Sequence, residues 1–253
     1  MLHFLNTYIP DPVAFTVFGI DVRWYGIFIA CGMLCAALLA YYRAPRHGIE
    51  KDRVLDGVLI GIPMGVLGAR LYYVVFSWDY YSQHLSQILN IRGGGLAIHG
   101  GLIFGLGTAV ILCLRWKIKP LNALDLVVPG VAIAQAIGRW GNYFNQEAHG
   151  GPTDLPWAIP VDGQMVHPTF LYESIWCLLL GLLLIFIDNR RHFEGQIVLL
   201  YGMLYSLERI FVESLRTDSL MIGPFKQAQL FSAAVILVCI IAYALLYRRQ
   251  KKV

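Results

Sequence analysis

Charge is scarce in this sequence. Asp, Glu, Lys and Arg make up 14% of its 253 residues, and hydrophobic residues make up 57%. Soluble domains carry about 25% charged residues, so an ordinary water-soluble globule is excluded. Familiar catalytic signatures are missing too. The chain has no His-Glu-x-x-His of a membrane metalloprotease and no Gly-x-Ser-x-Gly of a serine hydrolase. It has no P-loop, so nothing points to ATP as a driving force. Cysteine is sparse: Cys31, Cys35, Cys113, Cys177 and Cys239 all fall within apolar runs. There they act as small hydrophobes and offer no disulfide framework, and Cys31 with Cys35 lacks the second ligand pair of a metal site. The N-terminus lacks the basic segment of a secretory signal peptide, and Asp11, Asp21 and Arg23 precede the first long apolar run. The first span is therefore expected to remain in the mature protein.

What the chain does have is apolar runs. Seven are long enough to be spans: Trp24 to Tyr42, Val54 to Phe76, Leu96 to Leu114, Leu121 to Gly138, Pro168 to Ile187, Gly195 to Val212 and Gln227 to Tyr247. Crossing about 30 Å of hydrocarbon as a helix takes roughly 20 residues. The second, fourth and sixth runs are weaker, because they carry Asp56 and Arg70, Asp125, and Glu208 and Arg209. Such interruptions argue for helices packed around a site. Pro63 and Pro129 lie inside spans, where membrane helices tolerate them as kinks. The expected fold is an all-α membrane protein, a polytopic helical bundle with about seven transmembrane helices. No repeat or low-complexity tract breaks the chain, so residues 1–253 are expected to form a single membrane-embedded domain.

Basic residues cluster on alternate loops. Arg43, Arg46, Lys51 and Arg53 follow the first run, Arg115, Lys117 and Lys119 the third, Arg190 and Arg191 the fifth, and Arg248, Arg249, Lys251 and Lys252 the last. The positive-inside rule makes these loops cytoplasmic, with the N-terminus outside and the C-terminus inside. The net charge of +4 reflects this asymmetry, and no nucleic acid partner is expected.

The polar residues converge on the outer half of the membrane. Arg23 and Tyr25 open the first span, and His99 lies near the start of the third. The block Gly138-Arg139-Trp140-Gly141-Asn142-Tyr143-Phe144-Asn145-Gln146-Glu147 closes the fourth, and Arg209, Glu213 and Arg216 end the sixth. Charge beside hydrocarbon is costly unless it faces a polar cavity or a partner, so these are candidate functional groups. Concentrated cations in apolar spans point to an anion. Plainer readings stand beside this one. Arg139 could snorkel to the interface or pair with Glu147. His99 could be a hydrogen-bonded core histidine, and Gly100 and Gly101 could serve close helix packing. Arg70 and Arg23 are more often structural. Residues 209, 213 and 216 would share a face if the sixth helix continues that far, with Glu213 pairing with either arginine. His167-Pro168-Thr169 could be a turn that starts the fifth helix, with His167 at the surface and Glu173 in the first turn. Metal ligation by His99, His149, His167 and Glu147 has no support in their spacing.

Together the motifs resemble those of bacterial prolipoprotein diacylglyceryl transferases. The resemblance rests on Arg23-Trp24-Tyr25-Gly26, Gly68-Ala69-Arg70, Gly94 through Gly101, the Gly138 to Glu147 block, His167-Pro168-Thr169 with Leu171-Tyr172-Glu173, and Glu213 through Arg216. It implies a multi-pass enzyme of the bacterial cytoplasmic (inner) membrane. Such an enzyme moves the diacylglyceryl group of phosphatidylglycerol to the lipobox cysteine thiol of a prolipoprotein signal peptide. A thioether forms and glycerol 1-phosphate leaves. The resemblance implies no cofactor, and membrane lipid and the signal peptide as partners. It implies His99 as base, Arg139 and Arg216 as ligands of the leaving phosphate, and Asn142, Asn145 and Glu147 as groups that hold the glycerol head or orient Arg139. Tyr25, Arg70, Gly100 and Gly101 complete the expected lipid-binding set. Two other classes compete. A transporter using the arginines as an anion path should show inverted repeats and broken helices, and neither is visible. An intramembrane protease acting on the same signal peptides should carry protease motifs, and these are missing.

Overall fold

The computed structural model describes residues 9–91 and 94–251, so Lys252 of the basic tail lies outside the described residues. Each of the seven apolar runs is a helix: α1 Trp24–Arg43, α2 Lys51–Phe76, α3 Ile98–Arg115, α4 Pro120–Asn145, α5 Thr169–Asp188, α6 Gln196–Leu215 and α7 Gln227–Gln250. Six of them are long and apolar enough to cross a membrane, and α6 is the exception. Its polar face carries Glu208, Arg209 and Glu213. The all-α expectation misses three short antiparallel hairpins: β1 (Val13–Val17) with β2 (Ile20–Arg23), β3 (Ile159–Val161) with β4 (Gln164–Val166), and β5 (Met221–Ile222) with β6 (Phe225–Lys226). The first precedes α1 and the other two sit between helices, all too short to show a period-two pattern.

The chain forms two compact units. One holds Ala40–Ala123. In it α2 and α3 approach closely where Gly68 meets Gly100. A Cβ on Gly100 would lie 2.2 Å from the Gly68 carbonyl oxygen, and one on Gly68 would lie 2.6 Å from that of Gly100. Small residues let apolar helices pack backbone to backbone where lipid offers no hydrophobic drive. The segment leading into α3 is tied back by Arg70. Its guanidinium, 3% exposed, donates to the carbonyls of Gln87, Ile88, Gly94 and Gly95 at 2.6 to 3.0 Å.

The other unit holds the described residues up to Leu39 and from Leu124 onward. Helices α4, α5 and α6 share a core of Val128, Ala132, Leu180, Leu184 and Ile197. Asp125, fully buried in α4, is the polar interruption of that span, and its task is capping. It accepts the N–H groups of Gly195 at 2.7 Å and Val198 at 2.9 Å, the otherwise unpaired donors at the start of α6, and meets Arg191 at 3.2 Å. Hairpin β3–β4 lays Ile159, Val161 and Val166 on Tyr143 at the end of α4 and Phe170 at the start of α5. Large apolar side chains such as Leu59, Ile111, Leu179, Phe211 and Val238 are exposed, as a lipid-facing surface requires. Cys31 and Cys35 are also exposed on α1, unlike the buried Cys113 and Cys177.

Candidate active site

Three helices bring charge together in the larger unit. Arg139 on α4 contacts Glu173 Oε2 on α5 at 3.0 Å, at an angle outside hydrogen-bond geometry. Arg139 Nη2 also donates to the Tyr205 hydroxyl at 3.4 Å. Arg209 on α6 donates through Nη1 to Glu173 Oε1 at 2.5 Å and through Nη2 to Glu213 at 2.6 Å. Glu173 therefore bridges the two arginines. Its side chain is 1% exposed, while Arg139 and Arg209 keep 19% and 17%. A carboxylate so buried is tolerable only when paired, and here two guanidinium groups pair it. Each guanidinium has five N–H donors, so both retain capacity to grip an anion. Glu208 on α6 adds a third buried acid, and neither of its oxygens has a hydrogen-bond partner among the described residues.

This arrangement corrects two expectations. Arg139 pairs with Glu173 and not with Glu147. Glu173 is not a helix-dipole residue of the first turn, because α5 begins at Thr169 and places it past that turn, facing the arginines. The partner was hard to foresee, because Glu173 stands in an otherwise apolar run 34 positions after Arg139.

The segment after Arg139 stays helical to Asn145, about two turns beyond the end expected at Gly138. Asn142 and Asn145 then donate to the same Glu147 oxygen at 3.0 and 3.2 Å, and the Glu147 N–H closes on the Asn142 carbonyl at 3.0 Å. The reversal needs left-handed backbone at Gln146 and Ala148, with φ of 53° and 55°. Such conformations cost energy and cluster at functional sites. Glu147 is exposed, so the two amides hold its carboxylate at the surface of this unit. Tyr25 lies over Gly141, and Trp24, Phe28 and Phe144 stack together beside it. The His167-Pro168-Thr169 triplet stitches the loop down. His167 exchanges backbone hydrogen bonds with Gly150 and Gly151 at 3.0 Å, and Thr169 Oγ1 donates to the Ala148 carbonyl. His167 is half-buried, not at the surface as expected, and its ring nitrogen meets the Tyr172 hydroxyl at 3.3 Å.

Arg216 does not share the helical face of Arg209 and Glu213. Helix α6 ends at Leu215 and Arg216 is extended, with φ −75° and ψ 145°. Its Nε and Nη2 donate to the two carboxylate oxygens of Asp218 at 2.9 and 2.7 Å. That doubly bonded carboxylate raises the arginine's pKa above its ordinary value, and the same bonds lower the pKa of Asp218. Lys226 Nζ donates to the carbonyls of Glu213 and Arg216, both at 2.6 Å. An ammonium there suits the negative end of the helix dipole and shares the Glu213 carbonyl with the Arg216 N–H. Asp218 and Lys226 are contributors that sequence reasoning did not single out.

The smaller unit holds Arg70, His99, Gly100 and Gly101. His99 is exposed in the first turn of α3, with its ring beside Tyr72 at 6.1 Å between centroids. The core-histidine reading therefore falls. Gly100 is a packing residue against Gly68, whereas a Cβ on Gly101 would meet only ordinary contacts at 3.5 Å or more. Four of the N–H donors of Arg70 are committed to carbonyls, which makes it a loop clamp.

Long apolar helices bearing paired arginines and carboxylates define a polytopic membrane protein with a charged cluster inside it. A more particular assignment follows from comparison with known sequences. The family model described as prolipoprotein diacylglyceryl transferase matches residues 12–245, and the chain belongs to that family. It is 53% identical over 244 residues to the phosphatidylglycerol–prolipoprotein diacylglyceryl transferase of Clostridioides difficile, covering 95% of this chain and 97% of that protein. The proteins of the same name from Finegoldia magna and Staphylococcus epidermidis are 48% and 44% identical. These alignments cover 95% of this chain, and 97% and 90% of the respective relatives. The chain is thus a multi-pass protein of the bacterial cytoplasmic membrane.

Proposed function

We propose that this protein transfers the diacylglyceryl group of phosphatidylglycerol to the lipobox cysteine thiol of prolipoproteins, the first step of bacterial lipoprotein maturation. The observation that carries the reading is the near full-length match to transferases of that name. The carbon–sulfur bond forms as the lipid's carbon–oxygen bond breaks. The electron pair of that bond leaves with glycerol 1-phosphate. A thiol must lose its proton to attack carbon well, and His99 takes it. Arg139 and Arg216 bind the phosphate, where donors count most as negative charge develops on the leaving oxygen. The bonding of Arg209 to the same Glu173 supports adding it to this cationic group. Asn142, Asn145 and Glu147 receive the glycerol head, and Tyr25 orders the lipid beside Gly141. Arg70 and Gly100 contribute by shaping the backbone that leads into His99, and Gly101 contributes by its place beside Gly65 and Ala69 of α2. All seven helices span the membrane, with the N-terminus outside and the C-terminus cytoplasmic, and residues 1–253 act as one transferase domain.

The test is mass spectrometry of a lipobox peptide incubated with the purified protein and phosphatidylglycerol. A gain of one diacylglyceryl mass on the cysteine is expected, and Arg139→Ala should abolish it without loss of the folded protein. No adduct from folded wild-type protein would refute the assignment.

A further inference from the structure

The fork of Arg216 is occupied in a way that the transfer reaction does not by itself require. Its Nε and Nη2 form the edge with which a guanidinium grips a phosphate through two parallel bonds, and Asp218 holds that edge with both oxygens. The two partners are held very differently. The Arg216 side chain is 17% exposed and that of Asp218 54%. The backbone of Arg216 is fixed from three directions. Its carbonyl accepts Lys226 Nζ, its N–H donates to the Glu213 carbonyl at 3.3 Å, and it forms a strand-like bridge with Gly150. Asp218 lies in an exposed bend; both of its hydrogen bonds to other side chains among the described residues go to Arg216, and His149 adds only an electrostatic pull without a hydrogen bond. The arginine is therefore the fixed member of the pair and the carboxylate the movable one.

We propose that Asp218 is a stand-in for the lipid phosphate: it fills the fork of Arg216 while the site is empty, swings toward solvent when a phosphodiester enters, and returns to displace the phosphate ester that leaves. The inference rests on reading Arg216 as a phosphate ligand. One anion replaces another, so a largely buried guanidinium is never left uncompensated. The exchange is shallow, because ion pairs with an exposed partner are worth little. The return step matters more than the entry. When the carbon–oxygen bond breaks, the electron pair stays with the phosphate, which then binds arginine harder than the diester did. A carboxylate two residues away competes at high effective concentration and limits product retention.

The experiment measures KM for phosphatidylglycerol and the inhibition constant of glycerol 1-phosphate with wild type, Asp218→Asn and Asp218→Glu. Asp218→Asn should lower both constants by about 1.5- to 5-fold, with Asp218→Glu close to wild type. Unchanged constants in Asp218→Asn would overturn the proposal. A raised KM would also overturn it, because Asp218 would then be a clamp that orients Arg216. Full activity of Arg216→Ala would overturn it by removing the arginine from phosphate binding. Loss of the function reading looks different: folded wild-type protein would give no lipidated peptide at all.

Discussion

The ring of Tyr25 fills the space that a side chain at Gly141 would need. A Cβ at Gly141 would come within 2.5 Å of the ring and 3.2 Å of the Tyr25 Cα. The start of α1 and the end of α4 are thus seated on one another by the absence of a methyl group. Gly141→Ala should push Tyr25 aside and leave the helices formed. Displacements of about 1 Å at a reacting centre cost about a hundredfold in rate. The expected result is a loss of kcat/KM on that scale in the lipobox-peptide assay, with unchanged helical content by circular dichroism.

Glu173 holds two arginines, so its removal should cost more than that of either. Glu173→Ala leaves the Arg139 and Arg209 guanidinium groups in a largely apolar setting with one acidic partner lost. Breaking a buried pair by deleting one member costs about 3–5 kcal/mol. Thermal unfolding in detergent should show Glu173→Ala strongly destabilised. A variant as stable as wild type would mean that the network is not closed as described.

The neighbouring glycines of α3 should behave oppositely. Gly100→Ala forces a methyl group against the Gly68 carbonyl at 2.2 Å, whereas Gly101→Ala meets only ordinary contacts at 3.5 Å and beyond. Overpacking of this kind costs about 1–3 kcal/mol or more. Gly100→Ala is expected to lower the unfolding temperature and Gly101→Ala to leave it nearly unchanged. Comparable losses at both positions would contradict the packing.

Acid should uncouple Arg216 from Asp218. The folded-state pKa of Asp218 is lowered by its bonds to Arg216. The pair's contribution to stability is therefore complete above the ordinary aspartate value of about 3.9. It is lost as pH falls through the lower folded-state value. Because Asp218 is more than half exposed, the effect is modest, up to about 1 kcal/mol. The unfolding temperature of Asp218→Asn should fall slightly below that of wild type at neutral pH, and the two curves should converge in strong acid. A gap that persists below the folded-state value would assign the effect to something other than this ion pair.

The helices were legible because apolar length is a one-dimensional property, readable wherever charge is rare. The hairpins were not, since two to five residues carry no usable period. At the site, Arg139, Asn142, Asn145 and Glu147 could be picked out because polar groups stand out against an apolar run. Their partners could not. The choice of Glu173 over Glu147 for Arg139 depends on how α4 and α5 face each other, which spacing along the chain does not encode. Arg216 was misplaced for a local reason, because the helix stops one residue before it. Asp125 looked like part of a polar site and is a cap for a helix far along the chain.

That cap sets an order of assembly. Helix α6 is the one of the seven that falls short of a membrane-crossing helix by length and apolarity, and its first turn takes its acceptor from Asp125, seventy residues before Gly195. The ribosome delivers α4 before α6 exists, so the carboxylate is in place before the amides that need it emerge. In a circularly permuted chain that made α6 before α4, the N–H groups of Gly195 and Val198 would emerge with no carboxylate to accept them, and the first turn of α6 would wait for Asp125 to follow.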